Sequence, residues 1–345
     1  MSARLNEAMR LSNFEPRALL PGALACFSDV GGGVYGLPVA VHPIYVLCSV
    51  QALEASGLPV PPPASWTVED FAAACLAVDA ATRAGKRTGV IAALPPMVGK
   101  VRVGAATYSG SLAMSALWTA FVLGYGGSIV RGGRFALDNP GAVEGLARLV
   151  SLAREYGAPS ADLLTFNTGG LRPGTAPAFW FLPYLGEGVP GPAWCAARMP
   201  RFPVRPVVPA DAEGVTLVRP AGGTGYTTSY TQAPPAAALR AVVEYALWRY
   251  GISRANPSGS YLPPPVLGAA AAQRGYWEAQ AKRAPGLGAL GDWQQYVFTG
   301  AGWPSVAPRV TAVMYQALSE AVTNGAHLAT LLAAASRKMN NLIAA

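Results

Sequence analysis

The sequence predicts an α/β chain with room for two domains. Three observations carry this. The chain has 345 residues, more than a single hydrophobic core usually serves. Hydrophobic residues make up 52% of it and charged residues 13%, which excludes intrinsic disorder. Segments of helical periodicity are interspersed with short extended runs rich in β-branched residues.

Residues 1–30 read as a short helix and a loop. GVYGLPVAV (33–41) reads as a turn followed by an extended segment, and HPIYVLCSV (42–50) continues it. QALEASGL (51–58) is a short helix stopped by Gly57 and by the prolines Pro59 and Pro61 to Pro63. The clearest helix is SWTVEDFAAACLAVDAATRAG (65–85). Thr67 is its N-cap, and Asp70 stands three residues on, as in a capping box with Asp in place of Glu. Phe71, Cys75 and Val78 share its apolar face, and Gly85 ends it. A further helix over 112–125 ends in Gly126-Gly127, and RFALDNP (134–140) is a short strand and turn. Asn139 then caps a helix that carries Pro140 at its first position and Val143, Leu146, Leu149 and Leu152 on its buried stripe. Residues 160–235 are rich in Pro, Gly and aromatics. A helix follows in APPAAALRAVVEYALWRYG, then a loop, and the chain closes in two helices separated by Gly325.

The net charge of +8 is spread over scattered basic residues with no block of like charge. That describes a solvated surface rather than a nucleic-acid interface. The four cysteines, Cys26, Cys48, Cys75 and Cys195, contain no CxxC pair, and they read as buried free thiols, with one long-range disulfide left open. Two histidines exclude a His-rich metal site. Gly104 to Val130 carries no charge and is long enough to span a bilayer. Its clustered glycines and interrupting Tyr, Ser and Thr favour a buried helix instead. The N-terminus has charges throughout and no signal-peptide h-region.

The order of motifs resembles the solute-binding proteins of carbohydrate ABC importers. The residues that carry this are Tyr35-Gly36-Leu37-Pro38, Ser56-Gly57-Leu58, Pro61 to Pro63, Ser65-Trp66-Thr67, Glu69-Asp70-Phe71, Trp118, Gly126-Gly127, LDNPGAVEGLARLV, GGTGYTTS (222–229), LRAVVEYALW and LLAAASRKMNNLI. The similarity runs from about residue 10 to 342. There are departures. The family's Tyr-Asn-Lys-Asp after the crossover strand is replaced by Cys48-Ser49-Val50-Gln51. Its F-xx-G-x-A-A-M segment is echoed only by FNTGGLRPGTAPAFWF (166–181). Family members also carry further strands and a signal sequence ahead of the point where this chain begins. That difference implies a truncated chain, a fragmentary gene or a misplaced start codon.

The resemblance implies a periplasmic-binding-protein-like α/β fold of two lobes joined by a hinge, the N-terminal lobe incomplete. Lobe 1 would take residues 1–40 and 201–287, and lobe 2 residues 41–200 and 288–345. It implies a sugar or related small polar solute bound in the interlobe cleft of a monomer. The cargo would pass to ABC permease subunits outside the cytoplasm, as in periplasmic proteins or cell-surface lipoproteins, without cofactor, metal or chemistry. Sugars present C–H faces and hydroxyls, so aromatic platforms beside polar groups suit them. Trp180 and Trp303 match family ligand-contact positions, and Trp118 is open between core and cleft. His42 and Tyr45 follow the crossover strand. Glycines such as Gly223 let a ligand approach the backbone closely, with Tyr226 beside it. Trp66, Trp248 and Trp277 read as packing residues. Arg131, Arg134 and Arg172 read as solvated.

GGGVYG (31–36) fits GxGxxG, but an extended segment with Pro38 follows where a dinucleotide site needs a helix start. GGTGYTTS lacks the Lys of a P-loop. There is no HExxH, GxSxG or paired-carboxylate motif. The alternatives are a carbohydrate-active enzyme such as a glycoside hydrolase, its carboxylate pair drawn from the chain's Asp and Glu, and a membrane-embedded protein using 104–130.

Overall fold

The computed structural model describes residues 4–16, 19–29, 31–85, 94, 100–103, 106–109, 112–157, 165–166, 177–184, 191–216, 225–227, 236–255, 270–283, 285–291, 294, 296–298 and 307–344. Helices α1 (Asn6–Leu11) and α2 (Pro21–Ala25) precede strand β1 (Gly36–Ser49). Then come α3 (Val50–Ala55), α4 (Val68–Arg83), β2 (Lys100–Val103), β3 (Ala106–Ser109), α5 (Leu112–Gly124), β4 (Val130–Arg131), β5 (Arg134–Phe135) and α6 (Pro140–Tyr156). Strands β6 (Thr165–Phe166), β7 (Phe179–Pro183), β8 (Trp194–Ala197), β9 (Val208–Thr216) and β10 (Gly225–Thr227) follow. The chain continues through α7 (Ala236–Ala255), α8 (Ala270–Arg283), a 3₁₀ segment (Pro285–Gly291), β11 (Tyr296–Phe298), α9 (Ala307–Asn324) and α10 (Leu328–Ala344).

Strand β1 organises the molecule. All 14 of its residues are buried. Its first part runs antiparallel to β9, from Gly36 opposite Thr216 to Pro43 opposite Ala210. Its second part lies between β7, with Ile44 opposite Pro183, and β8, with Val46 opposite Ala197. Strands β10 and β11 add to β9 in parallel. One continuous strand therefore changes partners midway along its length.

A register shift between Pro38 and Ala40 settles which side chain faces which layer. Side chains alternate with a period of two, so one extra residue exchanges the faces. Leu37 and Val39 pack with Leu5 at the start of α1, Met9 of α1, and Val242 and Val243 of α7. Val41 packs instead with Ala23 of α2 and Phe298 of β11. Further along, Ile44, Val46 and Cys48 enter the largest core, built with α3 to α6, α9 and α10. Tyr45 and Leu47, on the opposite face, enter an aromatic cluster.

The local signals in the sequence become specific contacts. The Thr67 hydroxyl accepts from the Asp70 N–H at 3.1 Å, and the Asp70 carboxylate accepts from the Thr67 N–H at 2.8 Å, closing the capping box of α4. Phe71, Cys75 and Val78 are all buried. The Trp66 indole donates to the Arg198 carbonyl at 2.8 Å and its ring stands edge-on to Phe71. Asn139 caps α6, accepting from the Ala142 N–H at 3.1 Å. Gly325, between α9 and α10, holds φ +65°, a backbone region that glycine adopts freely.

The preference for a buried helix over a membrane span holds, and one other expectation needs correction. Helix α5 has 13 residues, about 20 Å of rise against a bilayer core of about 30 Å. Among the described residues no helix is long and apolar enough to cross a membrane. Leu117, Trp118, Ala120, Phe121 and Val122 of α5 are instead buried in the largest core. Trp248, read as a packing residue, is 57% exposed on α7, tilted against Tyr245. The buried side of α7 is supplied by Val242, Val243, Ala246 and Tyr250, which leaves Trp248 outside.

Candidate functional site

The residues that follow the partner change in β1 build an aromatic centre. Tyr45 and Leu47 project from β1, Trp180 from β7 and Trp194 from β8, with Tyr184 just past the end of β7, all in one cluster. They share a face because direct register partners in antiparallel strands point the same way, and Leu47 lies opposite both Trp180 and Ala196. Tyr276 and Trp277 of α8, with Leu287 and Leu290 of the 3₁₀ segment, cover that face. The Tyr184 ring meets Tyr45 edge-on with centroids 6.3 Å apart, and Trp277 lies 5.1 Å from it.

Polar ties fix this centre to the strand. The Tyr276 hydroxyl donates to the Tyr184 hydroxyl at 3.0 Å. The Tyr184 N–H donates to the Pro43 carbonyl at 2.9 Å. His42 Nδ1 lies 3.0 Å from the Tyr184 carbonyl. A carbonyl only accepts, so the proton of that contact sits on Nδ1. Burial, with the Tyr184 hydroxyl nearby, pushes the Tyr45 phenol well above its ordinary range, so it stays neutral at physiological pH. The centre is thus a packed cluster of aromatic rings tied to β1 by hydroxyl and backbone hydrogen bonds.

Of the residues singled out from the sequence, His42, Tyr45 and Trp180 come together here, at the partner change of β1. All three are buried, His42 to 5% exposure, Tyr45 to 4% and Trp180 to 7%. Trp118 does not join them. It is 2% exposed on α5 within the largest core, on the other side of the sheet. Trp118 sits on α5, which packs against α6 and β7. Tyr226 is known by its backbone, paired with Val215 in β10. Gly223, Trp303 and Arg172 lie outside the described residues. Sequence reasoning missed Tyr184, Trp194 and Tyr276.

The GGGVYG turn holds no phosphate cradle. Its inner space is filled by Asp29, whose carboxylate accepts from the Gly33 N–H at 2.7 Å and from the Tyr35 hydroxyl at 2.7 Å. The Tyr35 hydrogen bond, with that of Gly33, holds the Asp29 carboxyl below its usual pKa. Arg131 and Arg134 are exposed at the β4–β5 turn. Among the described residues no cluster of His, Cys, Asp and Glu is arranged to hold a metal ion.

No family model matches the chain, and no curated protein matches it. Solved structures do. An ABC substrate-binding protein from Listeria monocytogenes in complex with cycloalternan superposes with TM-score 0.65 at 13% identity, over 99% of this chain and 80% of its own. The cyclic α-maltosyl-1,6-maltose binding protein from Arthrobacter globiformis gives 0.64 at 14%, over 98% and 83%. An ABC transporter solute-binding protein from Agrobacterium radiobacter in complex with ribitol gives 0.59 at 17%, over 99% and 80%. The chain therefore has the two-lobed α/β fold of ABC-transporter solute-binding proteins.

Proposed function

We propose that the chain binds a sugar or a related small polar solute in a cleft between two lobes and hands it unchanged to the permease of an ABC importer. The observation that carries this reading is the course of β1. It is buried along its whole length and pairs with β9 in one half and with β7 and β8 in the other, so it ties together two separate apolar cores. A strand in that position suits a hinge, where a small change in backbone angles closes two lobes on a ligand. The three solved relatives in fold are named for binding cyclic oligosaccharides or ribitol, which supports a carbohydrate or polyol cargo.

On this reading residues 1–40 and 201–287 form one lobe, and 41–200 with 288–345 the other. The packing of α8 and the 3₁₀ segment on β8 and the second half of β1 supports counting 270–291 with the second lobe on this reading. The ligand contacts proposed are His42, Tyr45 and Trp180 near the partner change of β1, with Gly223, Tyr226 and Trp303 carried over from the sequence. The protein works as a monomer, outside the cytoplasm, and carries out no reaction on its cargo.

A thermal-shift screen of the purified chain against oligosaccharides, polyols and sugar acids tests this. A true ligand at a hundred times its dissociation constant stabilises by about 2.7 kcal/mol and is recovered chemically unchanged. A screen without a single binder, or conversion of a binder to product, refutes the proposal.

A further inference from the structure

We infer that Cys48 and Cys195 form a redox-active dithiol that closes into a disulfide between β1 and β8 when the protein meets a low-molecular-weight disulfide. The two residues are direct register partners in the antiparallel β1–β8 pair. Opposed residues of such a pair point to the same face with Cβ atoms about 4.5–5.5 Å apart. A disulfide needs Cβ atoms about 3.5–4.5 Å apart, so closure asks for an approach of roughly 1 Å. Both side chains face the largest core: Cys48 belongs to it and Cys195 packs against it. All four cysteines are free thiols in this structure. Cys75 is buried on α4 in the same core, and Cys26, on the other half of the molecule, donates to the Gly22 carbonyl at 3.4 Å. Neither stands opposite another cysteine in a strand pair.

The two thiols have different roles. Cys195 is the less buried of the two, and Cys48 is fully buried. Their mutual hydrogen bond holds the Cys195 thiol below its ordinary range, and burial pushes the Cys48 thiol up. Cys195 is thus the attacking sulfur and Cys48 the resolving one. As its thiolate, Cys195 attacks one sulfur of the small disulfide, breaks its S–S bond and expels one thiolate. Cys48 then gives up its proton, attacks the Cys195 sulfur of the mixed disulfide and expels the second thiolate. Two protein thiols lose two electrons, the small disulfide gains them, and the two protons end on the two small thiols released.

The test uses the full chain and oxidised glutathione at about pH 8. The thiols titrated after denaturation are expected to fall from four to two. The intact mass should drop by about 2 Da, and a non-reducing peptide map should link the Cys48 peptide to the Cys195 peptide. Closing a loop of about 150 residues in the unfolded chain should raise the melting midpoint by roughly 5 °C, and dithiothreitol should reverse it. Cys48→Ser is expected to keep a glutathione adduct on Cys195, and Cys195→Ser to leave Cys48 unmodified. Four surviving thiols, a persisting glutathione adduct on the unsubstituted chain, or a map linking Cys48 to Cys75 overturns the inference. The map of the unsubstituted chain decides alone if the serine variants do not fold. None of these readouts depends on whether the protein binds a sugar.

Discussion

Replacing Asn139 with alanine removes more than a helix cap. The residue is 5% exposed. Its side-chain oxygen accepts from the Ala142 N–H at 3.1 Å, which is the cap, and also from the Ser128 N–H at 3.2 Å. Its amide nitrogen donates to the Ser128 and Ala136 carbonyls, both at 2.8 Å. Asn139 thus joins the start of α6 to both sides of the β4–β5 hairpin. Loss of an N-cap costs about 1 kcal/mol. Each further hydrogen bond lost at a buried site costs about 1 kcal/mol, so Asn139→Ala is expected to cost about 4 kcal/mol in all. Asn139→Ser keeps an oxygen for the cap but no amide donors, and should be milder by about 1 kcal/mol. Urea unfolding followed by circular dichroism measures both, with the slope m checked for constancy. A loss of about 1 kcal/mol or less for Asn139→Ala would mean that the cap is all that matters and that the ties to Ser128 and Ala136 add nothing.

Four further outcomes follow from the packing and the buried acids. Gly127→Ala would place a Cβ 2.7 Å from the Val122 carbonyl oxygen and 2.9 Å from the Ala142 Cα, forcing α5 and α6 apart, and should cost about 1–3 kcal/mol in a melt or urea titration. Phe71→Ala opens a hole among Trp66, Phe179 and Phe181, whose ring centroids all lie within 5.4 Å of it, and should cost about 3–5 kcal/mol. Alkaline pH should destabilise the protein, because burial raises the folded-state pKa values of Cys48, Cys75, Tyr45 and Tyr250. The folded state then holds protons that the unfolded state has released. This stabilisation is complete below the unfolded values of about 8.5 and 10. It falls away above them by about 1.4 kcal/mol per pH unit for each group, until the folded values are passed. Tyr250→Phe should cost about 1 kcal/mol at neutral pH, since the hydroxyl donates to the Pro38 carbonyl at 2.6 Å, and should flatten the alkaline limb by one group's share. An unchanged limb would rule out Tyr250 as a contributor.

What the sequence determined by itself is the chemistry that acts over a few residues. The Thr67–Asp70 box, the Asn139–Pro140 start and the glycine at 325 were legible because a cap or a turn is made by neighbours in the chain. The apolar faces of α4 and α6 were legible because a helix repeats every 3.6 residues. The fold was legible from motif order rather than from any single motif. Other features belong to the tertiary structure. A tryptophan in an apolar helix reads the same whether it ends in a core, as Trp118 does, or in solvent, as Trp248 does, because the helix pattern does not say which layer it will meet. The aromatic cluster is legible only in part for the same reason: Tyr45 and Trp180 were singled out, but their neighbours Tyr184, just past β7, and Tyr276, on α8, are brought beside them only by the tertiary packing. The one-residue shift between Pro38 and Ala40 decides which face each later residue of β1 takes. No local signal sets it, since it depends on how β9 pairs from more than 160 residues away. The same long-range register sets Cys48 opposite Cys195, two thiols that the sequence leaves as unrelated positions.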